Sequence, residues 1–304
     1  MAISRAQLVK ELEPGLNALF GLEYKRYDNQ HAEIYTNESS DRAFEEEVML
    51  SGFANANVKV EGSGVNYDQS QETYTARYTH DTIALAFAIT EEAIEDNLYD
   101  KISSRYTKAL ARSMSNAKQV KAAAPLNNGL PTADNFDSGD GVSLFNTSHT
   151  TVSGTNVSNT LSTQADLNET SLEQALIDIA AFTDERGLRV AAKGVKMIIP
   201  SANQFSAERL LKSQGRTGTA DNDINAVASM GMVPQGYRVN NFLTDSDSWY
   251  IITDVPNGMK MFTRAPLATA MEGDFDTGNV RYKARERYSF GVSDYRGIYG
   301  CEGA

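Results

Sequence analysis

Between Glu91 and Ala124 the chain holds neither glycine nor proline. Over the same stretch Ala93, Ile94, Leu98, Ile102, Tyr106, Leu110, Met114, Ala117, Val120 and Ala124 recur at three- and four-residue steps. That spacing gathers them on one stripe of an α-helix. Thr90 stands where a cap is needed, Glu91 and Glu92 fall in the first turn, and Lys118 and Lys121 in the last, each sign suited to its end of the helix dipole. Pro125 is expected to close the helix, because the residue before a proline avoids the helical region. At 1.5 Å per residue the helix is about 50 Å long, against a usual length of ~11–12 residues. A helix of that length makes a spine, and few folds are built on one.

Composition narrows the choice. The 304 residues are 41% hydrophobic and 22% charged, as in ordinary soluble domains. A single cysteine, Cys301, excludes an internal disulfide and suits a reducing compartment. The N-terminal MAISRAQLVKELEPG lacks the apolar core of a signal peptide, and no run of apolar residues is long enough to span a membrane. The reading is a cytoplasmic product, with the Asn-x-Ser/Thr sequons at Asn37, Asn146, Asn156 and Asn168 arising by chance. A net charge of −12 argues against a protein whose main task is gripping nucleic acid.

Ser4 to Leu19 reads as an amphipathic arm with Ser4 and Gln7 as a capping box, interrupted by Pro14 and Gly15. Val58-Lys59-Val60, a Gly62-Ser63-Gly64 turn and a return through Tyr74, Ala76, Tyr78 and His80 predict a long hairpin. Its sides are polar, so it must lie on something else. Ile83, Leu85, Phe87 and Ile89 form a strand into the spine. Residues 127–163, rich in Gly, Ser, Thr, Asn and Asp, read as a surface loop marking a domain boundary. A second, α/β unit follows. It has a helix capped by Thr170 or Ser171 and ended by Gly187, then a strand at Val195–Ile199. A helix capped by Ser201 and Gln204 comes next, then strands at Tyr237–Phe242, Trp249–Thr253 and Met259–Thr263.

Near the C-terminus the pattern alternates. Val280, Tyr282, Ala284, Tyr288, Phe290 and Val292 share one face with Glu286 as the exception, and Arg281, Lys283, Arg285 and Arg287 share the other. The cations could simply be solvated. Pairing with carboxylates of another subunit or of the spine helix is favoured, and direct DNA contact ranks third.

In order, these pieces are an arm, a polar hairpin, a spine helix, an inserted α/β unit and a returning basic strand. That order resembles the Hong Kong 97 fold of tailed-bacteriophage major capsid proteins, an α+β fold, with the phage Mu-like major head subunits as the nearest group. The residues that carry the likeness are Tyr78-Thr79-His80, Ile89-Thr90-Glu91-Glu92-Ala93, Asp96-Asn97-Leu98-Tyr99, Leu144-Phe145-Asn146, Asp274-Phe275-Asp276-Thr277 and the run Arg285 to Gly297. The resemblance implies an N-terminal arm (1–30) and a peripheral domain (31–167) with an extended loop (about 55–80) and spine helix (about 90–124). It also implies an axial domain (168–268) and a return to the peripheral domain (269–304). It further implies homo-pentamers and homo-hexamers closing an icosahedral shell around double-stranded DNA. Assembly in the host bacterial cytoplasm, a separate scaffolding protein, a portal and room for a decoration protein come with it. No membrane or cofactor is expected. Lys59, Tyr74, Arg77, Arg281, Lys283, Arg285 and Arg287 are the candidate inter-subunit contacts. Some relatives cross-link a hairpin lysine to a distant asparagine. Lys59 lies in the hairpin stem, but no partner motif for it is present, so that chemistry is not carried over.

Enzyme chemistry finds no foothold. His31, His80 and His149 lie apart without metal-ligand spacing. There is no G-x-S-x-G elbow and no Walker A spacing. Gly62-Ser63-Gly64 lacks the remainder of a dinucleotide fingerprint. Asp134, Asp137 and Asp140 miss the EF-hand spacing. The expected role is structural. An encapsulin-like nanocompartment shell is the alternative within the fold, and a small α/β enzyme or carbohydrate-binding module using residues 127–163 is the alternative outside it.

Overall fold

A computed structural model describes residues 5–95, 99–130, 132, 136–216, 223–274 and 278–304, with side chains described from Glu13 and not between Ile94 and Ile102. The chain begins with α1 (Arg5–Arg26), β1 (Thr36–Ser39), β2 (Phe44–Leu50), β3 (Glu72–Thr79) and β4 (Asp81–Ile89). Next come α2 (Glu91–Glu95), α3 (Tyr99–Asn128), β5 (His149–Thr150), β6 (Asn156–Val157), α4 (Glu169–Ala180) and β7 (Gly194–Ile199). The rest comprises α5 (Gln204–Lys212), α6 (Ala226–Met230), β8 (Tyr237–Val239), β9 (Trp249–Thr253), β10 (Met259–Gly273), β11 (Val280–Val292) and β12 (Ile298–Cys301).

Two four-stranded sheets organise these elements, in the orders β1-β10-β11-β4 and β12-β9-β7-β8. In the first, β11 is central and antiparallel to both β10 and β4. Its period-2 pattern is realised: Val280, Tyr282, Ala284, Glu286 and Tyr288 are buried, while Arg281, Lys283 and Arg285 are exposed. The buried face is covered by α1 and α3, through Leu16 and Phe20 from one helix and Leu110, Ala111 and Met114 from the other. Asn17 accepts hydrogen bonds from Tyr282 and Thr269, both at 2.8 Å, and so ties α1 to two strands. Pro266 lies at the register shifts of β10, beyond the last residue paired with β1, where its missing N–H breaks no ladder bond.

Here the structure corrects the reading of the arm. α1 runs unbroken through Pro14 and Gly15, and its C-terminal half packs on the subunit's own spine helix and sheet instead of waiting for a neighbour. The Ser4–Gln7 capping box lies outside the described side chains. Pro125 likewise does not end α3, which continues to Asn128. The proline removes one ladder donor, but Leu126 and Leu130 just beyond it are buried in the core. Carbonyls around the site are used by side chains: Tyr35 donates to the Ala122 carbonyl at 2.6 Å and Tyr250 to that of Leu126 at 3.3 Å. Thr90 does cap the short helix before the spine, accepting from Ala93 N–H at 3.4 Å.

Glu286, the one carboxylate on the apolar face of β11, meets Lys118 of α3 at 3.2 Å. Burial raises the Glu286 pKa, and the Lys118 charge opposes the shift without cancelling it. Lys121 pairs with Asp81 of β4 at 2.5 Å. The two lysines therefore fasten the helix to the sheet instead of serving its C-terminal dipole.

In the second sheet, Met197, Ile198, Ile199, Trp249, Tyr250 and Ile251 pack with Leu172, Ala175, Leu176 and Ile179 of α4. The cap of α4 is Asn168, reciprocated by Ser171, and not Thr170 or Ser171. The helix ends at Ala180, ahead of Gly187. Ser201–Asn203 forms a 3-10 turn before α5 without any side-chain cap bond. The strand expected at Tyr237–Phe242 is shorter, and that at Met259–Thr263 much longer, crossing into the first sheet as β10. The last strand pairs with β9 in the second sheet, so residues 269–304 do not stay in one unit. The chain passes between the sheets where Gly258 and Gly297 touch backbone to backbone; a Cβ on Gly297 would collide with the Gly258 Cα.

The polar segment 136–163 is not a surface loop. Leu144, Phe145, Val157 and Leu161 sit in the core. His149 is fully buried, stacked on Tyr295 at 3.9 Å between ring centres. It meets Asp140 at 2.6 Å through Nδ1 and Asn159 Oδ1 at 3.1 Å through Nε2. Asn159 donates in turn to the carbonyls of Leu144, Tyr295 and Ile298. These polar side chains are buried because they satisfy one another. Beside them Arg296 joins Glu185 at 2.5 Å, Asp294 at 3.3 Å and the Thr183 carbonyl at 2.8 Å.

Two outcomes follow from these buried charges. Lys118→Met should cost about 3 kcal/mol, because it leaves the Glu286 carboxylate buried without a partner. Adding Glu286→Gln should recover most of that loss, as read by denaturant unfolding of the soluble subunit. For Asp140, desolvation raises the pKa, but the bonds from His149, Ser138 and Val142 N–H outweigh it and the net shift is downward. Its stabilisation is therefore complete above the ordinary aspartate value, about pH 4, and is lost as pH falls through the depressed folded value. Asp140→Asn should remove about 1–2 kcal/mol at pH 7 and flatten the acid limb of a stability–pH curve.

Candidate assembly surfaces

The hairpin is built from β2 and β3, so its outgoing strand is Phe44–Leu50 and not Val58–Val60. The stem has a buried face, contrary to its polar appearance. Ala76 and Tyr78 pack with Phe262, and the Tyr78 hydroxyl meets Ser293 Oγ at 2.5 Å. Gly291 has to be glycine here, since a Cβ would lie 2.6 Å from the Tyr78 ring. Glu47 of β2 pairs with Lys260 of β10 at 2.5 Å and also binds Ser293, while Glu38 of β1 reaches the same lysine at 3.1 Å. Lys260 is buried, and although desolvation lowers its pKa, the two carboxylates more than compensate and raise it. The stem is thus locked to the body at its base.

Beyond Ser51 and Gln71, which bond across the hairpin at 2.9 and 3.0 Å, no regular strand continues. Asp68 accepts from Ala54 N–H at 2.7 Å, and Arg186 donates to the Gln69 carbonyl at 2.6 Å, so the tip keeps a defined course. Its apolar residues are not covered by the described residues. Tyr67 is 98% exposed and Val58 94%, with Phe53, Val60 and Val65 also exposed. Apolar surface gathered on one projecting element marks an interaction site.

The other open surface is the outer face of the first sheet. Arg281, Lys283, Arg285 and Arg287 stand in a row along β11, opposite Ala88, Ala86, Ala84 and Thr82 of β4. On the β10 side their partners are Glu272, Ala270, Ala268 and Ala265. Around Lys283, Arg285 and Arg287 small side chains on both flanks leave a cationic ridge over a shallow alanine bed. Arg281 pairs with Asp274, whereas Lys283 and Arg285 form no ion pair with a described residue. The Arg287 Nε is buried and without a hydrogen-bond partner in the described chain.

The seven residues singled out from sequence thus divide. Lys59 is exposed on the tip, and Arg281, Lys283, Arg285 and Arg287 form one surface, on which Arg281 is already paired with Asp274. Tyr74 instead points inward, donating to the Ser293 carbonyl at 3.3 Å and lying 6.5 Å from Tyr295. Arg77 covers Phe44 of its own hairpin at 4.1 Å and meets Glu46 at 3.8 Å. The junction of Glu185 with Arg296 is invisible in the sequence, because nothing in the spacing of those residues announces a buried pair 111 positions apart. Among the described residues no cluster could hold a metal ion, and no helix is long and apolar enough to cross a membrane.

A model of the phage capsid protein family matches residues 73–300, from the hairpin's return strand to the last strand of the second sheet. The chain belongs to that family. Similar solved structures agree on the fold. The capsid of an empty GTA particle aligns at 13% identity and a TM-score of 0.55, with 91% of each chain covered. The virus-like particle of Pyrococcus furiosus aligns at 11% identity and a TM-score of 0.53, covering 95% of this chain and 98% of that one. The procapsid of bacteriophage JBD30 aligns at 14% identity and a TM-score of 0.54, covering 99% of this chain and 77% of the other. No curated protein matches. The architecture is the Hong Kong 97-type capsid fold, and the protein is a major capsid protein, a structural subunit whose copies form the icosahedral shell of the virion.

Proposed function

We propose that the shell closes when the hairpin tip of one subunit lies over the cationic sheet face of the next. The observation that carries this reading is the complementarity of two surfaces that the single chain leaves uncovered. The tip offers exposed Val58, Val60, Val65 and Tyr67 with the carboxylate of Glu61, and the stem adds that of Glu72 at the tip's base. The sheet offers an alanine bed for the apolar groups and Lys283, Arg285 and Arg287 for the carboxylates. Each contact is weak on a wet surface, but repetition around pentamers and hexamers multiplies it. The subunit's own charge of −12 keeps free copies apart until these patches are aligned.

In this reading the shell holds a double-stranded DNA genome, is filled through a portal and is templated by a separate scaffolding protein in the host bacterial cytoplasm. A decoration protein has the outer surface available to it. The stretches that resemble Mu-like head subunits support that subgroup. A second reading within the same fold is an encapsulin-like nanocompartment shell holding protein cargo. Nucleic acid or protein inside purified particles separates the two.

The double variant Arg285→Glu, Arg287→Glu should remain folded by circular dichroism yet form no shells by negative-stain microscopy. Normal particles from it would remove the cationic face from the closure mechanism. Deleting residues 62–71 should leave soluble capsomers, seen by sizing chromatography, that do not close. Intact shells after that deletion would exclude the tip.

A further inference from the structure

From Lys101 to Asn128 the chain holds six of its 28 lysines and arginines and none of its 40 aspartates and glutamates. In so acidic a protein that is a local reversal of charge. Lys118 and Lys121 are spent on Glu286 and Asp81. Arg105, Lys108 and Arg112 are not. They are exposed on α3, and none of them forms an ion pair with a described residue. Their spacing of three and four residues sets them on one stripe. That stripe lies opposite Leu110 and Met114, which bury α3 against the sheet.

The subunit therefore carries two basic surfaces on opposite sides of one helix–sheet layer. The row on β11 is partly answered, since Arg281 pairs with Asp274 and lies opposite Glu272. The helix stripe has no carboxylate in its own helix from Lys101 onward to screen it. Its three cations span about 10 Å of helix axis. Phosphates of one duplex strand advance about 3.4 Å each, so each cation reaches a different phosphate. Exposed Ser113 and Asn116 on the same helix can donate to phosphate oxygens, contacts that position without reading sequence.

We propose that Arg105, Lys108 and Arg112 mark the lumenal face of the shell and bind the phosphate backbone of packaged duplex DNA irrespective of sequence. This rests on the capsid reading above. The test measures fluorescence anisotropy of a labelled random-sequence DNA duplex with wild-type subunit, at a concentration where sizing shows no shells, across a salt series. Wild type should bind at about 50 mM salt, and Arg105→Ala, Lys108→Ala, Arg112→Ala together should weaken binding at least about tenfold and lower the salt slope by about 3. Arg105→Lys with Arg112→Lys should retain binding, and Lys283→Ala with Arg285→Ala should leave affinity within about twofold. In particles, Lys108 should be protected from acetylation when the genome is present and should react when it has been released. The proposal is overturned by an unchanged affinity and slope in the triple variant, by a loss confined to the sheet variant, or by equal Lys108 labelling in full and emptied particles. Shell formation by the triple variant is followed by microscopy. A wild type that binds duplex but never assembles would sink the capsid reading, whereas normal shells with unchanged duplex affinity would sink only this one.

Discussion

Side chains along a strand alternate between two faces, and in β11 that constraint determines both surfaces of the subunit at once. Burying Tyr282, Ala284, Glu286 and Tyr288 under α1 and α3 obliges Lys283, Arg285 and Arg287 to face outward. A slip of one residue would place the cations beneath the helices and the aromatics in water, so the register is strongly held. The ion pair of Lys118 with Glu286 adds a further check on register, because only one alignment of α3 over β11 gives the buried carboxylate its partner. The helix layer, the cationic ridge and the seat of the hairpin stem all take their positions from this strand.

Rigidity and exposure are then distributed in a way that suits assembly. The stem of the hairpin is fastened by Lys260 between Glu38 and Glu47 and by the Tyr78 ring against Gly291. The tip carries its apolar residues into solvent. A firmly based element with an unsatisfied end gives a neighbour a defined target without requiring the subunit to refold. The second sheet is joined to the first through the Gly258–Gly297 crossing and the Arg296–Glu185–Asp294 cluster. The run from Arg285 to Gly297 that carries the family likeness therefore builds surface at one end and an internal junction at the other.

What can be read from sequence is whatever has a strong period. The β11 alternation appears in the structure where the pattern places it. The apolar stripe of α3 holds in part: Leu110 and Met114 are buried, whereas Tyr106 and Val120 are exposed and Ile94 to Ile102 lie outside the described side chains. Local rules mislead where distant burial outweighs them. Pro125 reads as a stop, yet the burial of Leu126 and Leu130 carries the helix on. Val58–Val60 reads as the outgoing strand of the hairpin, yet the strand that pairs with β3 is Phe44–Leu50, which includes Glu45, Glu46 and Glu47. Residues 136–163 look like a solvated loop because their composition is polar. Their burial depends on mutual bonds among Asp140, His149 and Asn159 that spacing does not reveal. Of the candidate contacts, the β11 cations are legible as a surface, while Tyr74 and Arg77 serve their own subunit. The free stripe on α3 leaves its mark as well, in the absence of any acid between Lys101 and Asn128.

The central claim is that the tip of one copy seats on the β11 face of another. Cryo-electron microscopy of the assembled shell tests it most directly. The account predicts that residues 58–67 cross the neighbour's alanine bed, with Glu61 or Glu72 within ion-pair distance of the neighbour's Arg285 or Arg287. A tip projecting into solvent, or a neighbouring β11 face open in the closed particle, would contradict it.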